Sequence, residues 1–374
     1  FGNIYINNMK KIMHIGQLVG GLDIYIRNSL TYMPQGSLKF IIVHGKCDNN
    51  EPIRRGDELL KEYSVNLYRP LSLWNDLICL IKIIKIIRND KPDVIHCHSA
   101  KGGFIGRLAG FVTRTKTVYT PHAFSFLCSP SPLKKQFYLI LERLSRFNSY
   151  LLACSESERK MGIEIVHYKE SKALVWRNAV PDASNWHSDV KIKDERFICY
   201  IGRPCYQKNP FFLLDVIREV IMSDADLKFY WLGVGYHSPD LAELKRKIEE
   251  WNLDKNIVLL PWLSHKMCLE YVRKSLFYLS VSLYEGLPLS IIEAMSLGKA
   301  VIASDVVGNR DCVCHNVNGF LLPFDKNIFA EKIKELIVNE ERRSLFGEKS
   351  RDLYLSKFQI KNQVLELQKI YEAD

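Results

Sequence analysis

The sequence predicts an α/β protein of two doubly wound domains facing one another across a central cleft. Three observations lead there. The chain has 374 residues, more than one ordinary hydrophobic core organises. Short apolar runs alternate with amphipathic segments, the pattern of repeated strand–helix–strand units on parallel sheets. A polar, aperiodic stretch at 182–195 (DASNWHSDVKIKDE) interrupts that alternation, which then restarts.

In the first half the apolar runs fall at 11–16, 39–44, 93–97, 117–120, 150–154 and 173–176. Helical patterns lie between them at 71–89, 101–113, 132–147 and 156–161. In the second half the strands are expected at 197–201, 228–232, 257–260, 277–281 and 300–304. Helices are expected near 210–222, 239–251, 265–274 and 289–297, with helical patterns from about 326 to 374. The domains are expected at 1–185 and 186–355, and a helix at 356–374 is expected to pack back toward the first. In such folds ligands bind at the carboxyl ends of the strands.

Hydrophobic content of 47% and charged content of 25% belong to a globular chain and exclude a fibrous or disordered one. The net charge of +10 is uneven: residues 1–185 hold 26 Lys plus Arg against 15 Asp plus Glu, and residues 186–374 hold 26 against 27. A basic first half suits nucleic acid, an anionic membrane face or a pyrophosphate-bearing substrate, and charge alone does not choose. Ten cysteines without a C-x-x-C pair read as reduced structural thiols of a cytosolic compartment. Met9-Lys10-Lys11 reads as a natural start, and no signal peptide is evident. The apolar stretch 71–87 carries Asn75, Asp76, Lys82 and Lys85, which bars it from spanning a bilayer.

Three turns carry candidate chemistry. After the first strand, Gly20-Gly21 allow a tight turn into a helix whose first amides favour an anion. After the first strand of the second domain comes Gly202-Arg203-Pro204-Cys205-Tyr206-Gln207-Lys208. There two cations five residues apart can converge on a diphosphate, Arg as a fork and Lys as a point charge. The third is Glu285-Gly286-Leu287-Pro288-Leu289-Ser290-Ile291-Ile292-Glu293, a turn running into a helix. Its two glutamates lie about 11–12 Å apart along the axis. A carboxylate pair acting on one glycosidic bond with retention needs about 5–5.5 Å, so these two are expected to grip opposite ends of an extended ligand. His96 and His98 alternate at a strand end, an arrangement expected to send one to the core and one to the cleft.

Together these stretches resemble family 4 glycosyltransferases of the GT-B fold, with two Rossmann-like domains, over residues 10–358. The E-x7-E element inside S-x-Y-E-G-L-P-L-S-I-I-E-A-M-S-L-G is the most specific part. The segments Ile95-His96-Cys97-His98-Ser99-Ala100-Lys101-Gly102-Gly103 and Tyr119-Thr120-Pro121-His122-Ala123-Phe124 look like the capsule and O-antigen (CapM-like) members. The resemblance implies that Glu293 binds the nucleotide ribose and that Glu285 lies beside the donor sugar. It implies that Gly286, Leu287, Pro288, Leu289 and Ser290 line sugar and phosphates, while Gly202, Arg203 and Lys208 hold the diphosphate. It further implies that Leu263 stands in the base-contacting loop, that His122 faces the transferred sugar, and that Gly20 and Gly21 form the glycine turn. Arg203, Lys208, Glu285 and His122 are the implied catalytic set. Ala123 replaces the usual Gly after the histidine, and Asp311 stands where many relatives carry Glu.

What the resemblance implies is a retaining hexosyltransferase. It would move a hexose or N-acetylhexosamine from a nucleoside diphosphate sugar, expected to be a UDP-sugar, to a polyprenyl-diphosphate-linked saccharide during O-antigen or capsule synthesis. No metal or other cofactor and no nucleic-acid partner are expected. The expected location is the cytoplasm, peripheral on the inner membrane face, where the helical patterns at 71–88 and 133–147 meet an anionic surface. Two alternatives stay open here: a GT-B sugar-nucleotide epimerase, which leaves E-x7-E unexplained, and a basic nucleic-acid-binding protein, which lacks a binding motif.

Overall fold

The computed structural model describes residues 9–47, 51–68, 72–235 and 238–373, which divide into two compact units. The segment ahead of Met9, and Leu71, the expected first residue of a helix, lie outside the described residues.

The first unit takes its residues from Phe1–Pro181 and Ile360–Asp374. Its strands are β1 (Lys10–Leu18), β2 (Leu38–Cys47), a small hairpin of β3 (Arg54–Arg55) and β4 (Glu58–Leu59), β5 (Lys61–Ser64), β6 (Val94–His98), β7 (Lys116–Thr120), β8 (Tyr150–Ala153) and β9 (Ala173–Val175). Its helices are α1 (Gly21–Thr31), α2 (Leu73–Asp90), α3 (Ala100–Thr113), α4 (Pro132–Leu144) and α5 (Glu156–Glu164). Seven parallel strands form one sheet in the order β5-β2-β1-β6-β7-β8-β9. The winding reverses between β1 and β6, which is where such sheets open a binding crevice.

The second unit, Asp182–Gln359, contains β10 (Phe197–Ile201), α6 (Pro210–Ile221), β11 (Lys228–Val234), α7 (Leu241–Glu250), β12 (Ile257–Pro261), α8 (His265–Lys274) and β13 (Tyr278–Ser280). It continues with α9 (Leu289–Ser296), β14 (Val301–Ser304), α10 (Asn309–Cys312), β15 (Gly319–Leu322), α11 (Lys326–Val338) and α12 (Glu340–Lys357). Six parallel strands run β12-β11-β10-β13-β14-β15. The winding reverses between β10 and β13.

Both sheets owe their form to the apolar runs. Every residue of β6, β13 and β14 is buried, as strands covered by helices on two faces must be. Strand β5 escaped the sequence reading for the same reason. It lies at the sheet edge, bonded to β2 alone, and its KEYS sequence has no apolar run.

The expected linker is tied to the second unit. Asp182 receives two hydrogen bonds from Arg351 of α12, at 2.8 and 2.6 Å, and Arg273 of α8 donates to the carbonyls of Ala183, Ser184 and Trp186. The chain passes between units at Pro181/Asp182 and again at Gln359/Ile360. The last helix, α13 (Ile360–Glu372), then completes the first unit. Ile360, Val364, Leu367 and Tyr371 recur along one face and join the core made by Ile12, Leu38, Phe40 and Ile42. Trp176 Nε1 donates to Gln363 O at 2.7 Å.

The expectation for His96 and His98 is corrected. Both are fully buried, their ring centroids are 4.0 Å apart, and His14 on the adjacent β1 joins them. Side chains two residues apart on a strand point to the same face, so the pair cannot divide between core and cleft.

Candidate active site

The second unit gathers its chemistry where β10 and β13 end side by side. At the end of β10, Gly202 is fixed by its N–H to Leu232 O (3.0 Å) and by Trp231 Nε1 to its own carbonyl (2.7 Å). A side chain here would meet the Lys208 stem and the Tyr200 hydroxyl, both at 3.1 Å. Glycine therefore leaves room for Lys208 to fold back. The turn Tyr206–Lys208 is pinned by Tyr200 Oη donating to Lys208 O at 2.9 Å.

Lys208 Nζ reaches Glu285 Oε1 at 2.6 Å, and Gln207 Nε2 donates to Glu285 Oε2 at 3.2 Å. Both carboxylate oxygens of this buried glutamate are thus held by the loop after β10. Two further hydrogen bonds lock the two loops together: the Leu283 backbone N–H to Gln207 O (2.8 Å), and the Gln207 side-chain Nε2 to Tyr284 O (3.2 Å). A third loop supports them. Glu285 N–H donates to Val307 O at 3.2 Å, and Gly308, at φ +83°, sits so close that a Cβ would lie 2.8 Å from Gly286 O.

Helix α9 begins after Pro288, and the amides of Leu289 and Ser290 in its first turn have no intrahelical acceptor, as in any helix. Such a terminus carries partial positive charge. One turn further on, buried Glu293 meets His265 Nε2 at 2.7 Å. His265 opens α8, whose N-cap is Ser264, just after Leu263 in the short loop that follows β12. Burial works against charge on this imidazole, but the Glu293 carboxylate outweighs it and raises the pKa above the ordinary value.

Of the predicted cations, Lys208 is matched by Glu285. Arg203 is half-buried and has no side-chain partner among the described residues. A guanidinium without a side-chain partner among the described residues, a shared ammonium and a helix start thus meet at the switch point of one sheet, the kinds of group that bind phosphate oxygens. Gly20, Gly21 and His122 belong to the first unit. Gly20 stands at φ +62° at the start of α1, and His122 and Ala123 follow β7 at φ +53° and +78°.

Residues 182–353 match the family described as Glycosyl transferases group 1, and residues 19–184 match Glycosyltransferase Family 4. Between them these regions take in most of both units. The chain belongs to the family 4 glycosyltransferases.

This glycosyltransferase is 28% identical over 331 residues to UDP-Gal:alpha-D-GlcNAc-diphosphoundecaprenol alpha-1,3-galactosyltransferase of Escherichia coli, covering 80% of this chain and 84% of that one. It is 23% identical over 390 residues to the capsular polysaccharide biosynthesis glycosyltransferase CapM of Staphylococcus aureus, covering 97% of each. In fold it is similar to the sucrose-phosphate synthase of Thermosynechococcus elongatus, with a TM-score of 0.82, 18% identity, and coverage of 97% and 98%. The glycosyltransferase thus has the two Rossmann-like domains of the GT-B fold. Two of its site residues were not anticipated from sequence, Gln207 and His265. Gln207 adjoins the predicted Lys208 and His265 opens the helix expected near 265–274, but their partners lie 78 and 28 positions away.

Proposed function

We propose that this glycosyltransferase moves a hexose or N-acetylhexosamine, with retention, from a UDP-sugar to a polyprenyl-diphosphate-linked saccharide in O-antigen or capsule synthesis. One observation carries the donor half of this reading: the unpartnered Arg203 shares a loop with Lys208, and Lys208 is joined to Glu285 at the head of α9. In the reaction the bond from the sugar carbon to the β-phosphate oxygen breaks. A bond to the acceptor hydroxyl forms on the same face, and the hydroxyl proton passes to the departing diphosphate. Arg203, Lys208 and the first amides of α9 stabilise the charge that develops there, usually the largest catalytic contribution. Glu293 holds the ribose. No metal is needed, because these groups supply the positive charge.

The E. coli relative, whose name specifies UDP-Gal and a diphosphoundecaprenol acceptor, supports the choice of donor and acceptor. The S. aureus capsule relative supports the pathway class. A peripheral place on an anionic membrane is supported by α2 and α4. Helix α2 buries Cys79, Ile83 and Ile87 yet exposes Leu73, Trp74, Leu77, Ile78 and Ile81. Helix α4 exposes Leu133, Phe137, Ile140 and Leu144 along one face, Leu133 at 84%, beside Lys134 and Lys135. Apolar and basic residues together suit an interfacial helix. No helix among the described residues is long and apolar enough to cross a membrane.

A screen of UDP- and GDP-sugars, by thermal shift and by hydrolysis without acceptor, tests the donor. Stabilisation by GDP-sugars alone would sink the UDP assignment. Flotation with phosphatidylglycerol vesicles at low salt tests the surface: protein left wholly in the soluble fraction would remove the membrane reading.

A further inference from the structure

Four imidazoles meet at the carboxyl edge of the first sheet, and three of them form a chain. His14 Nδ1 lies 2.9 Å from His98 Nε2, with ring planes 7° apart and centroids 5.2 Å apart. His98 Nδ1 lies 3.2 Å from His122 Nε2, with planes 26° apart and centroids 5.4 Å apart. Nitrogen faces nitrogen, so the rings are joined edge to edge. The chain ends at Cys154, whose Sγ is 3.4 Å from His122 Nδ1. Both ring nitrogens of His98 and of His122 are therefore occupied.

His14, His96 and His98 come close enough to suggest a metal, with ligand atoms within 4.8 Å of one another. The lone pairs argue otherwise. Thr120 gives its only hydroxyl hydrogen to Leu152 O at 2.8 Å, so it accepts from His96 Nε2–H at 2.8 Å. His96 Nδ1 then accepts from Tyr371 Oη at 2.7 Å. The lone pair between His14 and His98 is spent on their shared hydrogen bond.

The far end sets the direction of the chain. Buried Glu158 accepts from Ala123 N–H at 2.8 Å and Cys154 N–H at 2.7 Å, and the Cys154 thiol lies against it. Burial, then Glu158, holds that thiol's pKa well above its ordinary value, so it keeps its hydrogen. A carboxylate only accepts, which turns the thiol hydrogen toward Glu158 and leaves sulfur as an acceptor, for the His122 backbone N–H and the Asn178 side chain and, at the ring, for His122 Nδ1–H. Each histidine of the chain then carries its hydrogen on Nδ1. His14 Nε2, buried and without a partner among the described residues, is left as a bare acceptor, less costly than an orphaned N–H.

We propose that His98 and His14 are positioning residues which lock His122 as a neutral Nδ1–H tautomer, so that its imidazole anchors the left-handed turn at His122 and Ala123 and exchanges no proton with substrate. Burial agrees, pushing His122 and His14 down to about 3. The other titratable groups around the chain are Tyr25 on α1, His96 on β6, Cys154 after β8, Glu158 on α5 and Tyr371 on α13. None of these offers a cation to replace a lost partner.

The tautomer is read from ¹⁵N-histidine spectra of the full chain, with His122→Asn for assignment. The expected result is a neutral Nδ1–H His122 that does not titrate between about pH 5.5 and 8.5, where a histidine near the ordinary 6.5 would. The kinetic arm rests on the transferase reading, and the spectral arm stands without it. His98→Asn keeps an amide donor near the Nδ1 position and should retain most of kcat. His98→Gln, which reaches only the Nε2 side, should lose roughly fivefold to tenfold in kcat with little change in KM, the worth of one hydrogen bond. An Nε2–H or titrating His122, equal activity in both variants, or zinc retained stoichiometrically and lost in His98→Asn would each overturn the proposal.

Discussion

Lys208 Nζ lies 2.6 Å from Glu285 Oε1, joining two residues 77 positions apart in the loops that follow the neighbouring strands β10 and β13. A diphosphate arriving at this site must share Lys208 with Glu285, whereas Arg203 is available outright.

That difference separates two substitutions. Arg203→Ala should weaken UDP binding by roughly 1.5–3 kcal/mol, as loss of a charge-assisted contact does, with no change in Tm. Lys208→Ala should weaken binding and also lower Tm, because Glu285 is left buried without its counter-charge. Calorimetric titration with UDP and thermal unfolding of both variants provide the check; wild-type UDP affinity in both refutes the diphosphate assignment.

The His265–Glu293 pair makes stability depend on pH in a fixed direction. The folded-state pKa of His265 is raised above 6.5 by the Glu293 carboxylate, against the effect of burial. Its contribution is therefore fully present below about pH 6.5 and is lost as pH rises through the raised value. The Tm difference between the native protein and His265→Gln should be largest near pH 6 and shrink toward alkaline pH. A difference that grows with pH would contradict the ion pair.

Gly308 supports Glu285 by fitting where no side chain fits, at φ +83° and with Glu285 and Gly286 at the position of a Cβ. Gly308→Ala should displace the 285–286 turn and reduce donor hydrolysis at least tenfold, while distant sites stay intact. Hydrolysis rates at saturating and limiting UDP-sugar measure it, and unchanged rates would show that the turn tolerates the shift.

In the first unit, Arg107 and Glu142 form a fully buried ion pair at 3.0 Å, with Arg107 stacked 3.8 Å over Tyr119 and Glu142 also accepting from Tyr119 and Ser125. Removing one partner of such a pair costs about 3–5 kcal/mol. Glu142→Ala should accordingly shift the denaturation midpoint of the first unit strongly, followed by urea titration with probes in each unit. A loss below about 1 kcal/mol would mean that water or a rotated side chain replaces the carboxylate.

The sequence by itself determined the two α/β series, the break near Asp182, and the Arg203–Lys208 and Glu285–Glu293 loops. Those features depend on interactions within a few residues: apolar runs, helical periodicity and glycine turns. Tertiary structure alone decided the partnerships. Glu285 meets Lys208 and Gln207 because β10 pairs with β13, and His14 meets His98 because β1 pairs with β6. Neither strand order is written in local periodicity. The terminal helix shows the same division: its return to the first domain was expected, but only the packing shows that Ile360, Val364, Leu367 and Tyr371 join Ile12, Leu38, Phe40 and Ile42 in one core. The resemblance pointed to these two loops, and the fold pairs Lys208 with Glu285 and His265 with Glu293, while Arg203 has no side-chain partner among the described residues.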